Sequence, residues 1–349
     1  MSETKKPAIT LLTCTHNGSR TLQRALEAIA KQTDISKESF EVLIVDNASI
    51  DNTFDIAIKT IQELGIKGRV IQENRPGKLY AFITGISKAQ GDLVSIIDDD
   101  NLIEPGFIKY TLDVFLRYPQ VGIVGSKNRV LTEHPLPSWF NWTCNSYACS
   151  QPWLEQPHHQ DQEGIITSDF GIVSGAGSTF RVKPILDCLE GGYQFFEDTR
   201  PGKTIAGEDL EICYLLNSCG YSFAYDPRIQ IRHAIKEERL NLDSFKALCN
   251  RIGSASLAID PFMFTHKTTS KQFSWKWTWQ WQLISKVKRY YQLSSAPLFK
   301  NFDEKEKFLN WREKTICLGA IQRILAEREN YTQYIHQVAA GSWTELRVR

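Results

Sequence analysis

The octapeptide VSIIDDDN, residues 94–101, runs an apolar strand straight into three consecutive carboxylates. Three like charges at one point repel each other and call for a cation. Carboxylate oxygens at a strand end suit a hard divalent ion such as Mg2+ or Mn2+, which keeps open positions for substrate phosphates. Alternate residues of an extended segment share a side, so Asp98 and Asp100 are expected to act together while Asp99 faces elsewhere. The competing reading is a solvated acidic turn or a helix N-cap. A second acidic pair is Glu208-Asp209 in GEDLE. Acids in a helix's first turn suit its dipole; a carboxylate at that place could equally take the proton of an attacking hydroxyl as general base. His233, ending IQIRHAI, reads either as a further metal or diphosphate contact or as a packed core histidine.

The elements that must position these residues alternate along the first half. AITLLTCT (8–15), FEVLIVD (40–46), RVIQEN (69–74), DLVSIID (92–98) and VGIVGSKNRVL (121–131) have the apolar runs of strands. TLQRALEAIAKQ (21–32), NTFDIAIKTIQELG (52–65), KLYAFITGISKA (78–89) and GFIKYTLDVFLRYP (106–119) have helical spacing, with Gly65 and Pro119 as stops. Apolar strands separated by helices imply an α/β fold with a parallel sheet covered on both faces. Ligands of such sheets sit beyond the carboxyl ends of the strands. The polar clusters Thr15-His16-Asn17, Asp46-Asn47 and Asp98 to Asn101 fall at those ends. Residues 132–170 are rich in Pro, Trp and His without a period, as in functional or mobile loops. Order returns over 171–182, a helix is expected over 207–220 and one or two strands over 221–235, and the chain from Lys236 is mostly helical.

The 349 residues are enough for one large domain or two ordinary ones. A net charge of +1 gives no global attraction to nucleic acid, so no nucleic-acid partner is expected. Eight cysteines without a CxxC pair point to free thiols in a reducing, cytoplasmic compartment. The opening MSETKKPAIT does not read as a secretory signal, and no apolar run reaches the ~20 residues of a membrane span.

In their order and spacing, ITLLTCTHNGSRTLQRALEAIAKQ, FEVLIVDNASIDNTFDIA, NRPGKLYAFITGISKAQGDLVSIIDDDN and GEDLEICYLLNSCGYSFAYDPRIQIRH resemble the inverting glycosyltransferases of family two. The resemblance implies a GT-A fold, a Rossmann-like mixed sheet flanked by helices. The catalytic domain would be residues 1–235, with a nucleotide-sugar half to about 131 and an acceptor half from 132. A helical C-terminal region would follow over 236–349. Thr15, His16, Asn17, Asp46 and Asn47 would hold base and ribose, and Lys78 would approach the base or diphosphate. Asp98 and Asp99 would serve the nucleotide, and Asp98, Asp100 and His233 a Mn2+ or Mg2+ ion. Asp209 would be the base, supported by Glu208, and GAGSTF (175–180) would line the acceptor side. The implied activity moves a sugar from a nucleoside-diphosphate sugar, by default a UDP-sugar, to a hydroxyl of a glycan, polysaccharide or lipid-linked acceptor. Where the family carries Arg-Asn after the Gly-Lys pair, this chain has Phe82 and Ile83, so that contact falls to Lys78 or Arg75. The rival readings are a non-catalytic nucleotide-sugar or glycan binder on the same scaffold and a nucleotidyltransferase.

The tail is distinct. From Pro261 to Phe302 there is no acidic residue, and there are seven Lys and Arg. Four Trp at 275, 277, 279 and 281 have a strand's period, whereas Trp277, Trp281, Ile284 and Lys288 would share a helix side. Three readings stand side by side for 270–300: packing onto the catalytic domain, contact with an anionic membrane at its inner face, and stacking on sugar rings. Residues 301–330 read as a closing helix, with a dimer contact as one use.

Overall fold

The computed structural model describes residues 6–162, 164–196, 207–265, 275 and 278–341. The strands are β1 (Ile9–Thr15), β2 (Phe40–Asn47), β3 (Gly68–Glu73), β4 (Leu93–Ile96), β5 (Asn101–Ile103), β6 (Val121–Leu131), β7 (Trp153–Leu154), β8 (Pro157–Gln160), β9 (Ile166–Ser168), β10 (Gly171–Ile172), β11 (Thr179–Arg181) and β12 (Ser222–Ala234). The helices are α1 (Leu22–Ala30), α2 (Thr53–Leu64), α3 (Lys78–Lys88), α4 (Phe107–Arg117), α5 (Phe140–Thr143), α6 (Val182–Glu190), α7 (Glu208–Ser218), α8 (Leu242–Ala255), α9 (Asp260–Thr265), α10 (Trp279–Phe299), α11 (Glu304–Ala326) and α12 (Arg328–Ala340).

One ten-stranded sheet organises the chain, in the order β3-β2-β1-β4-β11-β6-β12-β9-β8, with β5 also paired to β12. β3, β2, β1 and β4 are parallel, as the apolar runs require. β2 is buried along its whole length, as befits an inner strand covered on both faces. Gly65 closes α2 in the left-handed conformation, at φ 58°, as its sequence position suggests.

The sheet is not parallel throughout. β11 enters antiparallel between β4 and β6, and β5 and β9 pair antiparallel to β12. Period and composition cannot reveal this, since a short buried strand reads alike in either direction. The 132–170 stretch is likewise more ordered than its text suggests. It adds β8 and β9 to the main sheet, and its Trp139 stacks on Phe245 of α8 at 4.8 Å and on Phe308 of α11 at 5.6 Å.

The C-terminal helices are not a separate layer. Phe262, Ala320, Ile324, Tyr331, Tyr334, Ile335 and Val338 are buried in the same cluster as Leu12, Val94, Phe180 and Leu215 of the α/β portion. α8 and α11 cross closely because Gly253 and Gly319 face each other's partner helix. A Cβ on Gly253 would lie 1.9 Å from the Ile316 carbonyl oxygen. The period-two reading of the Trp repeat does not hold for the described part. Thr278 caps a helix by accepting from the Trp281 amide, and α10 runs from Trp279; Trp277 lies outside the described residues. No helix among the described residues is long and apolar enough to cross a membrane.

Candidate active site

The carboxyl ends of β1 and β2 and the start of α3 enclose a cleft of about 320 Å3, lined by Cys14, Thr15, His16, Asn47, Pro76, Gly77 and Lys78. Its side chains divide into those that shape the walls and those left to meet a ligand. Asn47 shapes: its amide donates to the Glu73 and Arg75 carbonyls and its oxygen accepts from the Gly77 amide, fixing the turn that opens α3. His16 Nδ1 bonds the Asn47 carbonyl at 2.7 Å, and its Nε2 lies 3.0 Å from the Asn17 amide. The Asn17 oxygen in turn accepts from the Ile50 amide. Asp46, beside Thr15 in register, is buried to 2 % exposure with its Oδ1 unpartnered. A buried orphan acceptor demands a donor, and an N–H of a nucleobase is of the right kind.

The three aspartates do not alternate along an extended strand. Residues 98–101 form a turn, closed by the Asn101 amide donating to the Asp98 carbonyl and by Asn101 Oδ1 accepting from the Asp98 amide. The carboxylates therefore fan out three ways. Asp98 meets Lys78 Nζ at 3.1 Å. Asp99 accepts from Thr15 Oγ1 at 2.8 Å, with burial raising its pKa and that bond lowering it in part. Asp100 faces His233 Nε2 at 3.3 Å and Arg239 at 3.7 Å. The expectation that Asp98 and Asp100 share a side because of strand alternation is corrected by this turn.

His233 reaches the turn because β5 pairs with β12 so that His233 lies opposite Asn101, and the Ala234 amide donates to the Asp100 carbonyl. Burial works against its charge, but the bond to Asp100 and the Cys149 thiol outweigh burial and push its pKa up to about 10. Its Nδ1 bonds the Tyr147 carbonyl at 2.8 Å, which orients Nε2 at Asp100. A backbone partner on one ring nitrogen with a carboxylate beside the other is how metal-binding histidines are commonly held. Oxygen and imidazole donors suit Mn2+ or Mg2+ chemistry. A divalent cation on this pair would replace the imidazolium proton. Among the described residues no three His, Cys, Asp or Glu side chains gather as a complete metal cage, so the Asp100–His233 pair fits as a partial site that a phosphate-bearing ligand completes.

Lys78 joins this turn to the second acidic pair. Its Nζ lies 3.7 Å from Glu208 as well as 3.1 Å from Asp98. Partial burial opposes the Lys78 charge, but Asp98, Glu208 and Asp209 outweigh it and lift the pKa well above the usual value. Glu208 is buried with Oε2 unpartnered, and burial raises its pKa against the pull of Lys78. Asp209, in the first turn of α7, accepts from the Gly175 amide through Oδ2 and from the Leu210 amide through Oδ1, both at 2.9 Å. Gly175 belongs to the 175–180 stretch singled out above. Residues 197–206, just before Gly207, lie outside the described residues.

Sequence reasoning missed Cys14, Arg239 and the wall-building use of Asn47 and Asn17. Cys14 lines the cleft, with burial pushing its thiol pKa well up. Arg239 had no local signal, since it reaches Asp100 only through the β5–β12 pairing. Phe82 is core, tilted against Phe180 and edge-on to Phe195. Arg75 is turned to Glu73 and over the Tyr80 ring, which leaves Lys78 as the cation at the cleft wall.

Comparison with known proteins bears on the fold and the family. A mannosyltransferase from Pyrobaculum calidifontis, solved with GDP-Man and Mn2+, superposes with a TM-score of 0.60 at 16% identity, over 93% of this chain and 89% of that one. This shows a shared GT-A fold. The poly-beta-1,6-N-acetyl-D-glucosamine synthase of Staphylococcus aureus is 25% identical over 219 residues, 63% of this chain and 48% of that protein. An uncharacterised glycosyltransferase of Nostoc sp. is 28% identical over 116 residues, 33% of this chain and 35% of that protein. The chain thus spans half or less of the length of these two relatives. The model of the glycosyl transferase family 2 matches residues 10–187, just over half of the chain and the whole cleft wall from β1 to the aspartate turn. With the GT-A sheet and the acidic turn at its strand ends, the chain belongs to glycosyl transferase family 2.

Proposed function

We propose that the protein transfers a sugar from a nucleoside-diphosphate sugar to an acceptor hydroxyl, with inversion and with the help of a divalent cation. The observation that carries this is the bridge from Lys78 to both Asp98 and Glu208, which ties the nucleotide cleft to the helix start bearing Asp209. Asp46 takes the base through its orphan oxygen, and Thr15 holds Asp99 at the ribose side. Lys78 faces the diphosphate. Asp98 stays paired with Lys78, and Asp100 with His233 would hold Mn2+ or Mg2+, which when bound neutralises charge on the leaving diphosphate. Asp209, fixed by two backbone amides, takes the acceptor's proton. A single base suffices for one displacement with inversion, since no covalent sugar–enzyme bond forms. Glu208 sets the field beside it. The acceptor is a hydroxyl of a glycan, polysaccharide or lipid-linked saccharide.

A panel of UDP-, GDP- and dTDP-sugars with Mn2+, scored by release of free nucleoside diphosphate, tests the reading. One donor should be consumed. Asp209→Asn should bind that donor as before and lose on the order of 100-fold or more in turnover. Transfer by this variant at the normal rate would remove Asp209 as base. Donor binding without any release would favour a non-catalytic binder.

A further inference from the structure

Cys188, near the end of α6, and Cys219, which caps the end of α7, meet sulfur to sulfur at 3.7 Å. Both are buried, Cys188 wholly and Cys219 to 7% exposure. A buried thiol by itself is ordinary core. Two in contact stand one step from a bond. The other six cysteines make no hydrogen bond to a sulfur among the described residues. An S–S bond is about 2.05 Å long, so the sulfurs need to close by about 1.6 Å, which a turn about each Cα–Cβ bond supplies. The pair also has an approach. Both cysteines line a cavity of about 430 Å3, together with Arg181, Lys183 and Tyr221. The Lys183 side chain on its wall is 81% exposed, so a small oxidant reaches the sulfurs from solvent.

What lies between the two sulfurs gives the contact its weight. The intervening chain carries Tyr193 and Phe196 of the core and the whole of α7, whose first turn holds Glu208 and Asp209. We propose that Cys188 and Cys219 are an oxidation site that closes, under a peroxide, into a disulfide clamping α7 against α6. Cys219, the less buried of the two, reacts first. Its thiolate attacks one oxygen of hydrogen peroxide, the O–O bond breaks, and hydroxide leaves behind a sulfenic acid. The Cys188 thiolate attacks that sulfur, forms the S–S bond and expels a second hydroxide. The two thiol protons join the two hydroxides, so two thiols and one peroxide become one disulfide and two waters. The link joins residues 31 apart in sequence, and closing such a loop removes freedom from the unfolded chain. This site is independent of the sugar-transfer reading, because its chemistry is read without a donor.

The test treats the full chain with hydrogen peroxide, labels the remaining thiols with N-ethylmaleimide under denaturing conditions, and weighs the product. The reduced chain should take eight labels, one per cysteine. The oxidised chain should take two fewer, lose the mass of two hydrogens, and yield a linked peptide pair joining Cys188 to Cys219. It should melt about 5 °C higher, and dithiothreitol should reverse every change. Cys219→Ser should keep all its remaining labels at the same peroxide dose. Where that variant fails to fold, the peptide map of the parent still decides. The proposal falls if the parent keeps all its labels, if the linked peptides join other cysteines or two chains, or if the sulfurs gain oxygen without linking. It also falls if Cys219→Ser loses two labels as the parent does, or if the linked form melts no higher, which would leave a bond without a clamp.

Discussion

Each aspartate of the DDD run has a different neighbour, and the neighbour sets what it can do. Asp99 depends on an absent side chain. A Cβ on Gly18 would lie 2.1 Å from Thr15 Oγ1 and 2.2 Å from Asp99 Oδ2. Gly18→Ala must therefore break the Thr15–Asp99 bond or push the turn away from β1. Loss of a hydrogen bond to a carboxylate costs about 1.5–3 kcal/mol. The expected outcome is roughly 10- to 100-fold weaker donor binding, read by calorimetric titration, with the melting temperature lowered less than for a core substitution. Unchanged affinity would show that Asp99 takes no part on the donor side. At this scale the sequence was informative about residue type and poor about direction. The carboxylates, Lys78 and His233 could be named from their runs. That Asn47 holds the Gly77 turn, and that Arg239 faces Asp100, depends on atoms 30 to 139 residues apart in sequence coming into contact.

Among the elements, α7 joins chemistry to support. Its first turn holds Glu208 and Asp209 at the cleft, and one turn on Glu211 is buried beneath. Glu211 accepts from the hydroxyls of Tyr193 at 2.5 Å and Tyr334 at 2.9 Å and from the Phe196 amide at 3.1 Å. Burial pushes its pKa up to about 7 despite these bonds. In the unfolded chain the group ionises near pH 4.5. Between those values the folded state binds more protons than the unfolded one, so stability falls as pH rises from about 4.5 to about 7, by on the order of 3 kcal/mol. Urea unfolding at both ends of that window should show the loss, and Glu211→Gln should flatten it. An equal slope in the variant would assign the dependence to other groups. Helix α7 itself was readable from its period. Its contact with α12, which supplies Tyr334, was not, because GEDLEICYLLNS gives no sign of which distant helix covers it.

For the whole molecule, the question is whether the α/β portion stands alone. Tyr334 stacks on Phe196 at 4.7 Å, Phe262 on Tyr214 at 5.4 Å, and Arg323 lies over the Phe196 ring at 3.9 Å. Ending the chain after Leu240 would uncover Tyr193, Phe196 and Tyr214. Each buried aromatic side chain contributes about 1.5–3 kcal/mol, and three of them approach the whole net stability of about 5–15 kcal/mol of an ordinary domain. The shortened chain should bind a hydrophobic dye and lack a cooperative melt, while the full chain melts in one transition. A truncated chain with a sharp melt would show that the C-terminal helices are an independent layer.

The sequence alone determined the parallel half of the sheet, the helices between its strands and the types of side chain at its strand ends. These follow from local rules: apolar period, turn residues, and carboxylates placed where a strand stops. The tertiary structure decided the antiparallel entry of β11, the fanning of Asp98, Asp99 and Asp100, the meeting of Lys78 with Glu208, and the merging of the C-terminal helices into the core. Those depend on which distant segment lies opposite, and a side chain's neighbours across a sheet leave no trace in the residues beside it in the chain.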